Sequence, residues 1–190
     1  MFTDFYGLKT KPFRMTPDPE FFYISKGHKK AMTYLNYWIS DGEGFAVVTG
    51  EIGAGKTTLV RTVLNGFKKK DPTSTLTAAY IKNTLVTPKQ FIRLLADDFG
   101  VDGIVGQEKD QVLIALNDFL IKQFSQGKKS ILIIDEAQNL SIPLLEEVRL
   151  LSNLETDKFK LLQIILVGQP ELRTKLARPQ LEQLRQRIFL

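Results

Sequence analysis

An α/β fold, with a parallel sheet covered on both faces by helices, is predicted by three observations. Strand-like and helical stretches alternate from residue 45 onward. The run Ile131-Leu132-Ile133-Ile134 is aliphatic throughout, as in a strand buried on both sides. The glycine-rich stretch GEIGAGKTT at 50–58 joins an apolar run to a helical one, the setting of a loop at the carboxyl end of a parallel strand.

The elements follow in order. Residues 1–26 are dense in aromatics and prolines: Phe2, Phe5, Tyr6, Phe13, Phe21, Phe22 and Tyr23 surround Pro12, Pro17 and Pro19. Proline fixes φ and removes an N–H, so an irregular segment is expected. Its aromatics need burial, so it should wrap the core formed by residues 27–190. Residues 27–39 read as a helix with Ala31, Tyr34, Leu35 and Trp38 on its apolar positions. Residues 45–49 are a strand and 57–67 a helix. Lys68, Lys69 and Lys70 fall past that helix end, where they complement its negative pole. A second strand spans 75–81. Residues 88–99 are helical, with Phe91, Leu94, Leu95 and Phe99 on one face. The pattern returns over 111–124 with Val112, Ala115, Leu116, Phe119 and Leu120. Strands at 130–134 and 161–167 bracket a helix at 143–154, whose Pro143 suits a first turn. Residues 179–187 close the pattern as a helix. Right-handed crossovers then put the ligand beyond the carboxyl ends of the strands.

Composition narrows the function classes. The chain has 190 residues, 43% of them hydrophobic and 25% charged, enough for one sizeable core. It contains no cysteine, which excludes a disulfide framework and a thiolate nucleophile or metal ligand and fits a reducing compartment. No apolar run approaches the ~20 residues of a membrane span. The N-terminus MFTDFYG lacks the basic-then-apolar order of a signal peptide. A net charge of +5 reads as a solvated basic surface; it permits an acidic partner such as nucleic acid without requiring one.

Two motifs carry chemistry. Gly50, Gly53, Gly55, Lys56 and Thr57 fill the P-loop pattern G-x-x-x-x-G-K-[ST]. Glycines let backbone N–H groups curl around a phosphate, and the helix that follows turns its positive end toward the same anion. The loop residues Gly50, Glu51, Ile52, Gly53, Ala54, Gly55, Lys56, Thr57 and Thr58 are therefore expected to cradle a nucleotide triphosphate. Lys56 would reach the β- and γ-phosphates, and the Thr57 hydroxyl would bind Mg²⁺. The second motif is ILIIDEAQNL at 131–140, of Walker B form. Asp135 would hold Mg²⁺ through its water shell, and Glu136 would orient and deprotonate the attacking water. Three further residues are candidates. Asn83 follows the second strand, where its amide would restrain Glu136, although an Asn there is equally an ordinary turn residue. Gln169 follows the fourth strand, within reach of the γ-phosphate or the lytic water. Arg187, with Arg185, would stabilise phosphoryl charge across a subunit interface, or else is a solvated surface arginine. His28, the sole histidine, has no sequence partner for a dyad and reads as structural or as a pocket residue.

The segments FYGLKTKPFRMTPDPEFFYIS, GEIGAGKTT, IIDEAQNL, EEVRLLSNLET and LLQIILVGQPEL together resemble AAA+ ATPases of the general secretion pathway protein A type. These are accessory ATPases of type II secretion, with relatives serving MSHA-type pili and exosortase-linked polysaccharide export. The resemblance runs over nearly the whole chain. It implies a three-layer AAA+ sandwich, ATP as nucleotide with Mg²⁺, and hydrolysis that assembles an envelope secretion or pilus apparatus from the cytoplasm or the cytoplasmic face of the inner membrane. It also implies a ring-shaped homo-oligomer working on secretion or pilus proteins. By the same resemblance Gln169 is the sensor I residue, Asn83 gates the catalytic glutamate, Arg187 is the arginine finger, and Pro17, Phe22 and His28 build the adenine pocket. The chain departs from that pattern by stopping about where a fifth strand would begin, before a helical lid. It is therefore expected to be a truncated piece that binds nucleotide weakly, hydrolyses it poorly and tends to self-associate at the open sheet edge. Two other readings stand beside this one: a transposition-helper AAA+ ATPase on duplex DNA, and a nucleotide-binding switch without hydrolysis.

Overall fold

Four parallel strands form the middle layer: β1 (Phe45–Thr49), β2 (Leu76–Ile81), β3 (Lys129–Ile134) and β4 (Gln163–Gly168), in the spatial order β1-β4-β3-β2. A computed structural model describes residues 2–9, 22–70, 76–156 and 158–188. The helices are α1 (Phe2–Phe5), α2 (Lys26–Asp41), α3 (Lys56–Lys70), α4 (Pro88–Phe99), α5 (Lys109–Ser125), α6 (Ile142–Leu151), α7 (Glu171–Leu176) and α8 (Glu182–Arg185).

Strand periodicity sorts the core into two faces. Ala46, Ile131, Ile133, Ile165 and Val167 pack with Leu35, Trp38 and Ile39 of α2 and with Leu59, Val60 and Val63 of α3. Phe45, Ala79, Leu132, Ile134, Ile164 and Leu166 pack on the other side with Phe91, Leu95, Leu116, Leu144 and Leu172 from α4, α5, α6 and α7. Ile131 to Ile134 are all 0% exposed, which is why that strand reads as one uninterrupted aliphatic run. Each such side chain contributes about 1.5–3 kcal/mol by leaving water.

The ends of the elements have local causes. The Ser25 hydroxyl accepts from the His28 backbone N–H and caps α2, and Gly42 ends that helix at φ 87°. Thr87 and Gln90 make the reciprocal capping box of α4, with Pro88 in its first turn. At the open edge of the sheet, the Tyr80 backbone N–H donates to Asp98 Oδ2 at 2.5 Å, which satisfies a donor that no strand pairs.

Several expectations need correction. Residues 2–5 form a short helix, and Phe5, Tyr6 and Tyr23 are exposed; Phe5 and Tyr6 pack edge to face on each other instead of on the core. Pro12, Phe13, Pro17, Pro19 and Phe21 lie outside the described residues, as do the side chains of Lys68, Lys69 and Lys70. The buried stripe of α4 is Phe91, Ile92, Leu95, Ala96 and Phe99, and Leu94 faces outward, because the helix packs on both β2 and α5. The helix expected over 143–154 ends at Leu151, and the fourth strand starts at Gln163. The helix expected over 179–187 is a 3-10 turn at Pro179–Leu181 followed by α8. The six-residue α7 is too short to show helical periodicity, and the sequence reading missed it. Ile188 forms a parallel bridge to Phe45 and so lies along the free side of β1.

Candidate functional site

Parallel pairing brings the carboxyl ends of all four strands to one end of the sheet. Gly168 pairs with Thr49, and the Gly50 N–H donates to the Gly168 carbonyl at 3.2 Å, so the glycine-rich loop starts beside the end of β4. The loop turns through Gly53 at φ 77° and Gly55 at φ 75°, a region where a Cβ is strained, then enters α3 at Lys56. Lys56 Nζ donates to the carbonyls of Gly50 at 2.8 Å and Glu51 at 2.9 Å, which holds its ammonium over the loop. No acidic side chain occupies the first turn of the fifteen-residue α3, so its positive pole is uncompensated by its own helix.

β3 delivers the acidic pair. Its pairing continues past the strand through the Asp135 N–H and the Ile81 carbonyl, 2.9 Å apart. Asp135 follows Ile133 by two residues and so lies on the α3 face of the sheet. The Thr57 hydroxyl donates to Asp135 Oδ2 at 2.7 Å, joining residues 78 apart in sequence. Asp135 is buried, and its Oδ1 accepts the Glu136 N–H at 3.0 Å. Tyr80 Oη donates to the same Oδ2 at 2.7 Å. Burial first, then that bond to Asp135, push the Tyr80 phenol well above its ordinary range, so it serves as a neutral donor.

Glu136 occupies the left-handed region at φ 53° and ψ 38°, and its side chain is exposed. Its Oε2 accepts Gln138 Nε2 at 2.6 Å and Gln169 Nε2 at 3.4 Å. Gln138 in turn accepts the Gln169 backbone N–H at 3.0 Å. Gln169, expected at the γ-phosphate or the lytic water, lies within 3.4 Å of the Glu136 carboxylate. Asn83 does not touch Glu136: its Oδ1 accepts the Leu85 backbone N–H at 3.2 Å in a local turn. A short side chain just past a strand bonds its own backbone more readily than a distant carboxylate. Glu136 is bonded instead by Gln138, and the sequence reading singled out neither Gln138 nor Tyr80. Gln138 lies two residues beyond Glu136, a spacing that was a usable signal; Tyr80 left none, because its contact depends on strand register.

Phe22 and His28 lie against the loop. Their rings are 4.7 Å apart, and a Cβ on Gly55 would stand 3.0 Å from the Phe22 ring and 3.7 Å from His28 Nε2. His28 Nε2 faces the Ala54 carbonyl at 2.9 Å and Nδ1 faces Ser25 Oγ at 3.0 Å. A carbonyl only accepts, so Nε2 carries the proton and Nδ1 accepts from Ser25. Arg187 lies elsewhere. Its guanidinium donates to Ser152 Oγ at 2.7 Å and to Asn153 Oδ1, next to the start of β1 and about 13 Å of strand from the loop.

This donor set fits a magnesium-bound nucleoside triphosphate. A hydroxyl and a carboxylate meet at the mouth of a helix, both hard oxygen donors. The glycine positions beside them leave room that a side chain would fill. Among the described residues no group of three or more His, Cys, Asp or Glu gathers as an all-protein metal cage, so the cation would share its shell with phosphate and water.

A family model described as an AAA domain matches residues 39–176. The chain is 43% identical, over 99% of its length, to "General secretion pathway protein A" of Aeromonas hydrophila, and it spans 34% of that relative. Among solved structures it is similar to the ORC2 protein of Aeropyrum pernix in its ADPNP–ADP complexes, with a TM-score of 0.71 at 15% identity, covering 93% of this chain and 48% of that one. Similarity to Cdc6p from Pyrobaculum aerophilum gives a TM-score of 0.65 at 17% identity, covering 93% of this chain and 47% of that one. At these identities the likeness to solved structures is one of fold.

Proposed function

We propose a function from one premise: the chain belongs to the AAA domain family. It binds ATP with magnesium and hydrolyses it to ADP and phosphate. The observation that carries this reading is the 2.7 Å bond from Thr57 to Asp135, which brings the glycine-rich loop and the acidic strand end into one site.

Each residue then has a task. The N–H groups of 50–58 and the positive pole of α3 bind the phosphates, and Lys56 leaves its loop carbonyls to neutralise the β- and γ-oxygens. Thr57 and Asp135 would hold the divalent cation, which would supply positive charge to neutralise the phosphates. Glu136 accepts a proton from the water that attacks the γ-phosphorus, as the bond to the β–γ bridging oxygen breaks. Gln138 and Gln169 aim that carboxylate. Phe22 and His28 flank the loop on the side proposed for the base. The ring of Phe22 on Gly55 also supports the proposal that the N-terminal segment wraps the core. Arg187 lies too far along β1 for its own loop, so its proposed role is at a neighbouring subunit's phosphates in a ring.

The identity to a general secretion pathway protein supports a finer reading. Hydrolysis by the whole protein would change subunit packing and assemble or remodel an envelope secretion or pilus apparatus from the cytoplasm. Glu136→Gln tests the engine. Phosphate release is expected to fall about 10²–10⁴-fold while ATP affinity holds; unchanged release refutes Glu136 as the base.

A further inference from the structure

We propose that Tyr80 is a positioning residue of the cation site: its hydroxyl fixes the Asp135 carboxylate in the orientation in which it meets Thr57. The inference rests on the reading of Thr57 and Asp135 as cation-holding groups.

Register brings Tyr80 to the site. Tyr80 pairs with Ile133, and strand alternation puts Tyr80, Ile133 and Asp135 on the face covered by α3. A residue one place earlier or later on β2 would point to the opposite face. The carboxylate is then held by three donors from three elements. Oδ2 accepts Thr57 Oγ1 and Tyr80 Oη, each at 2.7 Å, and Oδ1 accepts the Glu136 N–H at 3.0 Å. The terminal torsion of an aspartate is soft, so a carboxylate keeps one orientation only when its oxygens are bonded. Thr57 would share its oxygen with the cation when nucleotide binds. Tyr80 is the donor on Oδ2 that takes no part in coordination, so its bond persists in both states.

The ring is itself anchored. The Arg61 guanidinium of α3 lies 5.4 Å from the ring centroid and Lys82 Nζ lies 5.5 Å from it. The Tyr80 backbone N–H is tied to Asp98 of α4. The ring thus meets cations from α3 and from the residue just past β2, its backbone is tied to α4, and its hydroxyl carries that rigidity to the carboxylate just past β3. Partners of this kind behind a ligating group typically account for 10–100-fold in metal affinity.

The test measures binding of a fluorescent ATP analogue to the whole chain, in EDTA and across a magnesium titration. Magnesium should tighten binding to the unaltered chain; if it does not, both the proposal and the reading beneath it fail. Given that response, Tyr80→Phe should raise the half-saturating magnesium concentration about tenfold or more, with affinity in EDTA changed less than about twofold. A smaller rise, or an equal loss in EDTA, overturns the proposal and leaves the reading standing. A Tyr80→Phe chain that fails to fold also overturns it, since the hydroxyl would then be structural. Tyr80→Leu removes ring and hydroxyl together and should match Tyr80→Phe in its magnesium response. A further large loss would place the effect in the ring and its cations and overturn the role of the hydroxyl.

Discussion

Glu136 offers a test of whether the acidic turn is strained. Among the described residues it is the non-glycine residue with positive φ, at 53°. That conformation costs a residue bearing a Cβ roughly 1–2 kcal/mol. The turn is held by its own bonds: the Glu136 N–H is bonded to Asp135 Oδ1, and the Glu136 carbonyl accepts the Asn139 N–H at 2.9 Å. Glu136→Ala and Glu136→Gly both remove the carboxylate and its bonds to Gln138 and Gln169, so the difference between them isolates the backbone. Glycine gives up about 0.5–1 kcal/mol through its larger unfolded-state freedom. The strain it relieves is larger, so Glu136→Gly should be more stable than Glu136→Ala by about 0.5–1 kcal/mol, the reverse of an ordinary position. For a chain of this size that is a difference of roughly 1–4 °C in midpoint. Thermal melts and urea titrations of the two variants read it directly, and neither variant should release phosphate. An alanine variant equal to or more stable than the glycine variant would refute the strain argument.

Other perturbations test the surroundings. A Cβ on Gly168 would stand 2.8 Å from Gln138 Oε1, 2.9 Å from Leu172 Cδ2 and 3.3 Å from Leu172 Cβ. Gly168→Ala should therefore displace the Gln138 amide from Glu136, lower stability by about 1–3 kcal/mol, and cut phosphate release more than nucleotide affinity. Unaltered urea midpoints and phosphate release would count against that packing. At the other end of the sheet, Lys129 Nζ donates to the carbonyls of Ile39 at 2.5 Å and Ser40 at 2.9 Å, near the C-terminus of α2. Burial lowers its pKa from the ordinary 10.5, while Asp41 pulls the other way. Between the lowered value and 10.5 the unfolded chain holds more protons, so this group's contribution to stability rises with pH across that window. Urea midpoints at alkaline pH should show a shallower rise in Lys129→Met than in the unaltered chain; equal slopes would refute the assignment.

Much of this molecule is local, and that part was legible in the chain. The bounds of β1 and α4 coincide with those read from apolar runs and from the Thr87-Pro88 start signal. The stretches 50–58 and 131–136 stand out in the chain because the glycine-rich loop runs directly into the start of α3 and the acidic pair directly follows β3. Misreadings fell where short range gives no period, as in α7, or where a helix has more than one neighbour, as in the outward turn of Leu94. For Asn83 the sequence left two readings open, and the structure shows the turn residue, because a side chain that can bond its own turn usually does.

Covalent order alone determined the phosphate loop, the acidic pair and the layered α/β class, since each depends on residues a few positions apart and on side-chain period. Folding in three dimensions decided which groups serve them. Tyr80 reaches Asp135 from 55 residues away, and Gln138 and Gln169 meet on Glu136 from 31 apart. A partner such as Tyr80 depends on strand order and on a register in which a slip of one residue reverses every side chain, and no local pattern in the chain encodes that choice.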